Sequence, residues 1–502
     1  MTAFVLVAGA HTGGWVWREV AARLRESGAE AYPVTLSGMG EGGGPAGPDA
    51  DLETHIADLV RLIDELEAPE VVLVGHCYGI HPVLGAADRR PQRIARVVHL
   101  DVGVPQDGDP ALRLVPDQEL RDRLQAPDRP AGESRRIPPP SLDEWERWGS
   151  TAGVPAEALA ELAHRAVPQP LATFTQPLQL SCAAAEFLVT GVLCTANGSS
   201  IALVQTLVGL GDPRLKALTD PRVSFFDLPT GHWPMLSAPD ELADVLLRAA
   251  AGEGHHLSAA ASEQPGHLRP FLMDVPERPR ERVGRVDLYL PDADRPRPAV
   301  VFVHGGPVPA GVRPTPRDWP AFTAYGRYLA HQGVVGVTLD HRLHDLADYG
   351  RAAEDLAEAV ERVRADPRVD EERVALWFFS AGGLLSADWL AAPPPWLRCV
   401  AATYPILAPL PNWGLSASRF RPAVAVRSAG RLPIVLTRVG LELAEIAATV
   451  KEFLTEAEKC RADVEVIDLP LGHHGFETID HTEDARHAVQ QAVRSVLAQL
   501  RG

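Results

Sequence analysis

One arrangement of motifs occurs twice along this chain of 502 residues, and it constrains the fold more than any other feature. In each half an apolar run enters a glycine-rich loop, a second ends in a turn of small residues, and a third ends in a histidine. The matching pairs are FVLVAGAHTGGW at 4–15 with VVFVHGGPVPAG at 300–311, VVLVGHCYG at 71–79 with VALWFFSAGG at 374–383, and FFDLPTGHWPML at 225–236 with VIDLPLGHHGFE at 466–477. Such internal similarity predicts two successive domains of one design.

Between these motifs, short apolar runs alternate with amphipathic segments. In the first half, helical LETHIADLVRLIDELEA at 52–68 precedes extended VVLV at 71–74. In the second, helical YGRAAEDLAEAVERVRAD at 349–366 precedes extended VALWFF at 374–379. Strands separated by helices predict an α/β fold, with a mostly parallel sheet and helices on both faces in each domain.

The domain boundary is placed by composition. Glycine, serine and proline are frequent over 251–281, which predicts a linker at 253–268 between a domain at 1–252 and a second at 269–502. Within the first domain, a proline-rich and charged stretch at about 105–180 separates two strands. Its short helical patterns predict a cap over the site, which would exclude water from it.

Composition excludes several classes of function. The formal net charge of −18, without any basic block, argues against nucleic acid and anionic membrane surfaces as partners. No apolar stretch approaches the roughly 20 residues of a membrane span, and the N-terminal apolar run lacks the positive region of a signal peptide. Five cysteines without close pairs indicate neither a disulfide framework nor a zinc site. We therefore expect a cytoplasmic protein without metal or cofactor.

The segment Gly75-His76-Cys77-Tyr78-Gly79 has the spacing of a nucleophile elbow, G-x-S-x-G, with cysteine in place of serine. In such a turn the flanking glycines let a strand and a helix approach while the central side chain is exposed for reaction. A sulfur there lies at a helix start, which lowers a thiol's pKa. The alternative is a buried cysteine in a chance pattern, since free cysteine is among the most buried residue types.

These motifs resemble the α/β-hydrolase fold family over nearly the whole chain. The first half resembles small esterases related to hydroxynitrile lyases and plant salicylate esterases, in LVAGAHTGGWVW, TLSGMGEGG, LETHIADLV, the elbow, HLDVGVP and LPTGHWPML. The resemblance implies His232 as the base, with backbone N–H groups of Ala10 and Tyr78 as oxyanion donors. Dienelactone hydrolases of the same fold use cysteine as the nucleophile, which favours a catalytic Cys77.

The acid partner departs from the family pattern. The family places it after the strand that here reads FLVTGVLCT, but Ala196-Asn197-Gly198-Ser199 follows without a carboxylate. We predict Asp101 instead, because it ends the strand after the elbow helix; the alternative is an Asp that caps a turn before Pro105. Lyases of the similar kind carry Lys and Thr where this chain has Trp233 and Gly9, which argues against cyanohydrin cleavage.

The second half resembles hormone-sensitive-lipase-like and dienelactone-hydrolase-like esterases, in VHGG at 303–306, LDHRLHDL and G-x-H-G-F. The resemblance implies Ser380 as nucleophile, Glu442 as acid and His474 as base rather than His473. Backbone donors would come from Gly305, Gly306 and Ala381. Phe378 stands where an elbow has its first glycine, so the sequence predicts crowding there unless the backbone shifts.

Together these features predict an acyl-group hydrolase or acyltransferase that acts on an ester or thioester of a small, specialised metabolite. The acyl group would be carried by Cys77, Ser380 or both. Two alternatives remain open: a non-hydrolytic reaction such as cyclisation or elimination in the same type of pocket, and a vestigial domain that serves as scaffold or binding module. The sequence does not indicate an oligomeric state.

Overall fold

The computed structural model describes the chain except for residues 1, 41–49, 116–120, 122, 123, 125–134, 182–186, 210–212, 259–263, 414, 416, 417 and 502. The chain divides into two units, Met1–Thr206 with Arg214–Ala259, and Leu207–Pro213 with Ala260–Gly502. Residues 259–263 of the predicted linker, and parts of the predicted cap, lie outside the described residues. Both of those boundaries stay predictions.

The first unit is built on a parallel sheet. Its strands are β1 (Ala3–Val7), β2 (Glu30–Val34), β3 (Val71–His76), β4 (Ile94–Leu100), β7 (Val189–Cys194) and β8 (Val223–Leu228). They run in the order β2-β1-β3-β4-β7-β8, and all neighbouring pairs are parallel. In the predicted cap, β5 (Arg136–Ile137) and β6 (Gln169–Pro170) form a separate antiparallel pair.

Helices cover this sheet on both sides. They are α1 (Arg18–Glu26), α2 (Leu52–Glu65), α3 (Ile80–Arg89), α4 (Trp145–Trp148), α5 (Ala156–Arg165), α6 (Leu171–Thr175), α7 (Ile201–Gly209), α8 (Pro234–Ser237) and α9 (Pro239–Ala250). Strand side chains alternate between two cores because successive residues of a strand point to opposite faces. Val5 and Val7 pack into one core, whereas Phe4 and Leu6 pack into the other.

The second unit repeats this plan with an antiparallel edge. Its strands are β9 (Arg280–Val283), β10 (Val286–Tyr289), β11 (Arg297–Val303), β12 (Val335–Leu339), β13 (Val369–Phe379), β14 (Leu397–Thr403), β15 (Ile434–Leu441) and β16 (Val464–His473). Their order is β16-β15-β14-β13-β11-β12-β10-β9, antiparallel only at the two pairings of β10. The predicted α/β fold with two mostly parallel sheets is confirmed.

Most helices of the second unit lie between these strands in the sequence, and the last two follow β16. They are α10 (Pro320–His331), α11 (Tyr349–Arg364), α12 (Ala387–Ala391), α13 (Pro422–Ala425), α14 (Ala444–Cys460), α15 (Phe476–Ile479) and α16 (Glu483–Arg501). Across the described ranges of both units, no helix combines the length and apolar character needed to cross a lipid bilayer.

The first elbow depends on its two glycines. Cys77 has a φ of 49°, so the chain reverses sharply between β3 and α3. A Cβ on Gly75 would lie 2.7 Å from the Cα of Ile80, and one on Gly79 would lie 2.7 Å from the carbonyl oxygen of Ala8. Both contacts are with backbone, which cannot move aside cheaply, so strand and helix approach this closely only with glycine at both positions.

The second elbow differs from the first in the backbone that follows the turn. Ser380 has a φ of 52°, like Cys77, but Phe378 is fully buried where the first elbow has Gly75. The segment after the turn is a 3₁₀ helix over Ser380–Ser386, whereas the first elbow has only Cys77–Gly79 in that form. The second elbow thus combines a buried Phe378 with a longer 3₁₀ segment.

Replacing Gly75 by alanine should destabilise the first unit by about 2 kcal/mol or more, because the new Cβ would clash with the start of α3. Gly103→Ala is the control, since a Cβ there meets nothing within 4 Å. Urea unfolding followed by circular dichroism compares the two variants. Equal stability of both would show that the close approach of β3 and α3 does not require glycine.

Candidate active sites

Cys77 lies at the end of β3 under the glycine-rich loop that follows β1. Its side chain is buried, with 6 % of its surface exposed. A Cβ on Gly9 would lie 3.1 Å from the Cβ of Cys77, so the loop passes in direct contact with the elbow. Of the predicted oxyanion donors, Ala10 lies in this loop and Tyr78 directly follows Cys77. The hydroxyl of Tyr78 is anchored 2.7 Å from His55 Nδ1.

The predicted base and acid of the first half are in contact. His232 Nδ1 lies 2.7 Å from Asp101 Oδ2, and both side chains are almost completely buried. The carboxylate also accepts hydrogen bonds from the backbone N–H of Cys194 at 3.0 Å and from Asn197 Nδ2 at 2.7 Å. These contacts orient Asp101 toward the histidine.

The protonation of His232 follows from these neighbours. Burial alone lowers its pKa, but the hydrogen bond to Asp101 and the nearby Cys77 sulfur outweigh burial and raise the pKa from 6.5 to about 10. Nδ1 is bonded to Asp101, and Nε2 is buried without a hydrogen-bond partner among the described residues. Nε2 is therefore the nitrogen available to the thiol.

Sequence reasoning did not identify Asn197 as part of this site. Its Nδ2 lies 3.4 Å from His232 Nδ1 as well as 2.7 Å from Asp101, and its Oδ1 accepts from the backbone N–H of Ser150 at 2.7 Å. Its position is the one sequence feature that points to it, because Asn197 stands where the resembling esterases carry their acid.

In the second half, nucleophile, base and acid form a continuous chain of hydrogen bonds. Ser380 Oγ donates to His474 Nε2 at 2.7 Å, and His474 Nδ1 donates to Glu442 Oε2 at 2.8 Å. The other carboxylate oxygen accepts from the backbone N–H of Leu443 at 2.9 Å. His473 lies elsewhere, half exposed and 2.9 Å from Asp480.

The predicted oxyanion donors of the second half surround Ser380. A Cβ on Gly305 would lie 2.8 Å from the Cβ of Ser380, which brings the Gly305-Gly306 loop against the nucleophile. Ala381 follows the serine directly, and its carbonyl accepts a hydrogen bond from the hydroxyl of Tyr349 at 3.0 Å. This bond fixes the peptide that follows the turn.

A second buried acid lies behind His474. Glu477 is 1 % exposed and accepts a hydrogen bond from Tyr325 at 3.1 Å. Tyr404 also hydrogen-bonds to it, and the ring of Tyr404 lies 4.7 Å from that of His474. Burial raises the pKa of Glu477 from 4.5 to about 7 despite these contacts. The sequence alone does not distinguish this glutamate from a surface one.

The raised pKa of Glu477 predicts a pH-dependent stability. Between pH 4.5 and 7 the folded protein retains a proton that the unfolded chain releases, so stability is greatest below this range and falls as the pH rises through 7. Between pH 5 and pH 8, the free energy of unfolding of Glu477→Gln should therefore fall by about 2 to 3 kcal/mol less than that of the wild type. Denaturant unfolding at a series of pH values measures the difference.

Tyr325→Phe extends this test, because the lost hydroxyl stabilises the ionised carboxylate. Its stability should keep falling to a higher pH than that of the wild type, because loss of the hydrogen bond raises the pKa of Glu477 further. Identical pH dependence in all three proteins would contradict the assignment of a raised pKa to Glu477.

The described residues contain no group of three His, Cys, Asp or Glu side chains that could hold a metal ion. A nucleophile, a histidine and a carboxylate come together in each half.

Two family models match the chain. The model described as the alpha/beta hydrolase family matches residues 4–245, and the BD-FAE model matches residues 286–391. Their order along one chain confirms the predicted tandem arrangement of two hydrolase domains.

Known relatives match the first half. A carbendazim-hydrolysing esterase from Nocardioides sp. (strain SG-4G) is 33% identical over 253 residues, which are 49% of this chain and 98% of that protein. Methylesterase 10 of Arabidopsis thaliana is 30% identical over 122 residues, 24% of this chain and 44% of that protein, so less than half of its length is covered. The solved structure of the methylesterase MES16 from Arabidopsis is 20% identical, with a TM-score of 0.40, over 50% of this chain and 100% of that one. The chain belongs to the α/β-hydrolase family and is an enzyme of the esterase type.

Proposed function

We propose that each half cleaves an ester or thioester of a small molecule through a covalent acyl-enzyme, on Cys77 in the first half and on Ser380 in the second. The observation that most supports this is the chain of hydrogen bonds from Ser380 Oγ through His474 to Glu442, at 2.7 and 2.8 Å. A nucleophile, a base and an orienting acid in contact are the requirement for acyl transfer.

In the second half, His474 Nε2 takes the proton of Ser380 as Oγ attacks the carbonyl carbon. Backbone N–H groups of Gly305, Gly306 and Ala381 stabilise the oxyanion, and Glu442 stabilises the imidazolium. His474 then protonates the leaving alcohol or thiol, and an acyl ester remains on Ser380. Water, deprotonated by the same histidine, attacks this ester and releases the acid.

In the first half, His232 takes the proton of the Cys77 thiol, since the hydrogen bond to Asp101 raises the pKa of this histidine. The thiolate attacks the carbonyl carbon, and the N–H groups of Ala10 and Tyr78 stabilise the oxyanion. His232 protonates the leaving group, which leaves a thioester on Cys77. A thioester accepts attack by water, an alcohol, an amine or a carbon nucleophile.

The relatives suggest the class of substrate. Their names describe methylesterases and a carbendazim-hydrolysing esterase. We propose an ester with a small alcohol as leaving group, within a specialised small molecule. The enzyme would act in a reducing cytoplasm, since Cys77 must stay a thiol and the four described cysteines, Cys77, Cys194, Cys399 and Cys460, are free.

Acyl transfer to an acceptor other than water is a second candidate for the first half. Cys77 and His232 are 6 % and 5 % exposed, respectively, so bulk water has little access to a thioester formed there. Exclusion of water favours a bound acceptor. Ser380 and His474 are less deeply buried, which suits hydrolysis at the second site.

Brief treatment with p-nitrophenyl acetate, followed by intact-mass and peptide mass spectrometry, should reveal acetyl groups on Cys77 and on Ser380. Cys77→Ala and Ser380→Ala should each retain one adduct, and the double variant should retain neither. The adducts should accumulate because deacylation follows acylation as a separate step.

Cys460→Ala controls for indiscriminate thiol labelling, because Cys460 is exposed and lies outside both sites. Its adduct pattern at Cys77 and Ser380 should match the wild type. Acetylation that persists at other residues in the double variant, with none at Cys77 or Ser380 in the wild type, would contradict the acyl-enzyme proposal. Ligand binding without any adduct would indicate a binding module instead.

A further inference from the structure

Asn197 belongs to a closed ring of four hydrogen bonds that joins the acid and base of the first half to one segment of the cap region. His232 Nδ1 donates to Asp101 Oδ2, and Asn197 Nδ2 donates to the same oxygen, both at 2.7 Å. Ser150 N donates to Asn197 Oδ1, and His232 N donates to Ser150 O, again both at 2.7 Å. This cycle of hydrogen bonds therefore holds both the imidazole and the backbone N–H of His232.

Glycines on both sides let this cap segment lie directly on the histidine. A Cβ on Gly149 would lie 2.3 Å from His232 Cγ, and Gly149 has a φ of 147°, which favours glycine. A Cβ on Gly231 would lie 2.3 Å from the carbonyl oxygen of Ser150. The backbone of Gly231 donates in turn to Ala152 O at 3.1 Å. The segment Gly149–Ala152 thus packs directly against His232, with no space for a side chain at Gly149 or Gly231.

The two halves carry the acid partner of the histidine at the ends of different strands. Asp101 and Tyr404 occupy equivalent positions in the two halves. Each directly follows the strand beside the elbow strand and has a positive φ. Each donates its N–H at 2.8 Å to the next strand, Asp101 to Val192 O and Tyr404 to Thr437 O. Beyond that next strand, the second half carries Glu442 and the first carries Asn197. The first half therefore takes its acid from one strand and keeps an amide on the other.

Only an amide suits this place. It donates to Asp101 and accepts from the N–H of Ser150 at the same time, whereas a carboxylate accepts only. A carboxylate 2.7 Å from Asp101 would also repel it, and one of the pair would take up a proton. The identity of residue 197 is thus explained by the position of the acid.

We propose that Asn197 is a positioning residue of the Cys77 site, which aligns Asp101 and His232 with each other when the cap segment Gly149–Ala152 is seated. This inference rests on the proposed function of Cys77, His232 and Asp101. Without Asn197, Asp101 Oδ2 loses its second partner and Ser150 loses its link to the acid. Asp101 is then no longer tied, through residue 197, to the segment that holds the backbone of His232.

Three titratable groups lie next to the histidine, and a fourth contacts its acid. Asp101 hydrogen-bonds to His232, Cys77 lies near enough to raise its pKa, and the ring of His76 lies 4.6 Å from its own. Burial and the neighbouring His232 lower the pKa of His76, which keeps it neutral. Cys194 hydrogen-bonds to Asp101, and burial raises the pKa of its thiol.

Alkylation of Cys77 by iodoacetamide tests the inference without any substrate. Its rate, measured by peptide mass spectrometry from pH 5 to pH 9, follows the thiolate fraction. Asn197→Ala should slow alkylation at pH 6 by about tenfold, with little change at pH 9, where a free thiol ionises without a partner. Gly149→Ala should act in the same direction, because its new methyl group displaces the cap segment from His232.

The variant in which residues 101 and 197 exchange their side chains tests the inference most directly. Asp101→Asn alone should abolish fast alkylation at pH 6, and adding Asn197→Asp should restore at least part of it, since residue 197 lies 3.4 Å from the ring nitrogen. Thr190→Val is the control. It removes a buried hydrogen bond between Arg96 and Thr190 of β7, the strand that precedes Asn197, and it lies away from the site. It should lower the melting temperature and leave the alkylation profile unchanged.

A profile for Asn197→Ala that matches Thr190→Val would overturn the inference and leave Asn197 a structural role only. Failure of the double variant to exceed Asp101→Asn would also count against it. Should Asn197→Ala not fold, the exchanged variant and Gly149→Ala still decide the question. An altered alkylation profile in a protein that forms no acetyl adduct would retain the positioning role and reject the proposed acyl transfer.

Discussion

The left-handed backbone of the two proposed nucleophiles is the constraint on which the rest of each half depends. Cys77 and Ser380 have φ values of 49° and 52°, a region that residues with a side chain adopt at a cost of about 1 to 3 kcal/mol. The surrounding packing sustains it, through close glycine contacts in the first elbow and a long 3₁₀ segment in the second. This turn exposes the nucleophile to the histidine and, through Gly9 and Gly305, to the loop of oxyanion donors.

The second requirement is a carboxylate for each buried histidine, and the two halves meet it from different strands. Asp101 follows the strand beside the elbow strand, whereas Glu442 follows the next strand along the sheet. Both reach the histidine at 2.7 to 2.8 Å. In the proposed mechanism, Ser380 needs a base that removes its proton, whereas Cys77 needs a cation beside its sulfur. The high pKa of His232 suits the second task.

Much of this arrangement could be predicted from the sequence, because its determinants are local or repeated. The elbows, the loops and the histidines are short motifs, and their order along the chain predicts where parallel strands bring them together. Asp101 and His232 are 131 positions apart, yet strand order alone places both at the same edge of the sheet. The fold and the family followed from the same reasoning and are confirmed.

Other features depend on tertiary contacts that no motif encodes. The role of Asn197 arises from a cap backbone that lies 47 positions away, and the buried state of Glu477 arises from Tyr325, 152 positions away. Phe378 was expected to crowd the second elbow, and only the structure shows the longer 3₁₀ segment that accompanies it. A sequence pattern indicates which groups meet, but not how tightly the surrounding backbone closes over them.

The central claim is that one chain carries two acyl-forming nucleophiles. Rapid-mixing kinetics with a chromogenic ester measures it most directly, as the amplitude of the initial burst of released alcohol per mole of chain. The account predicts about two equivalents for the wild type and about one for each single variant, Cys77→Ala or Ser380→Ala. A burst of unchanged amplitude in the variant that lacks both nucleophiles would contradict it.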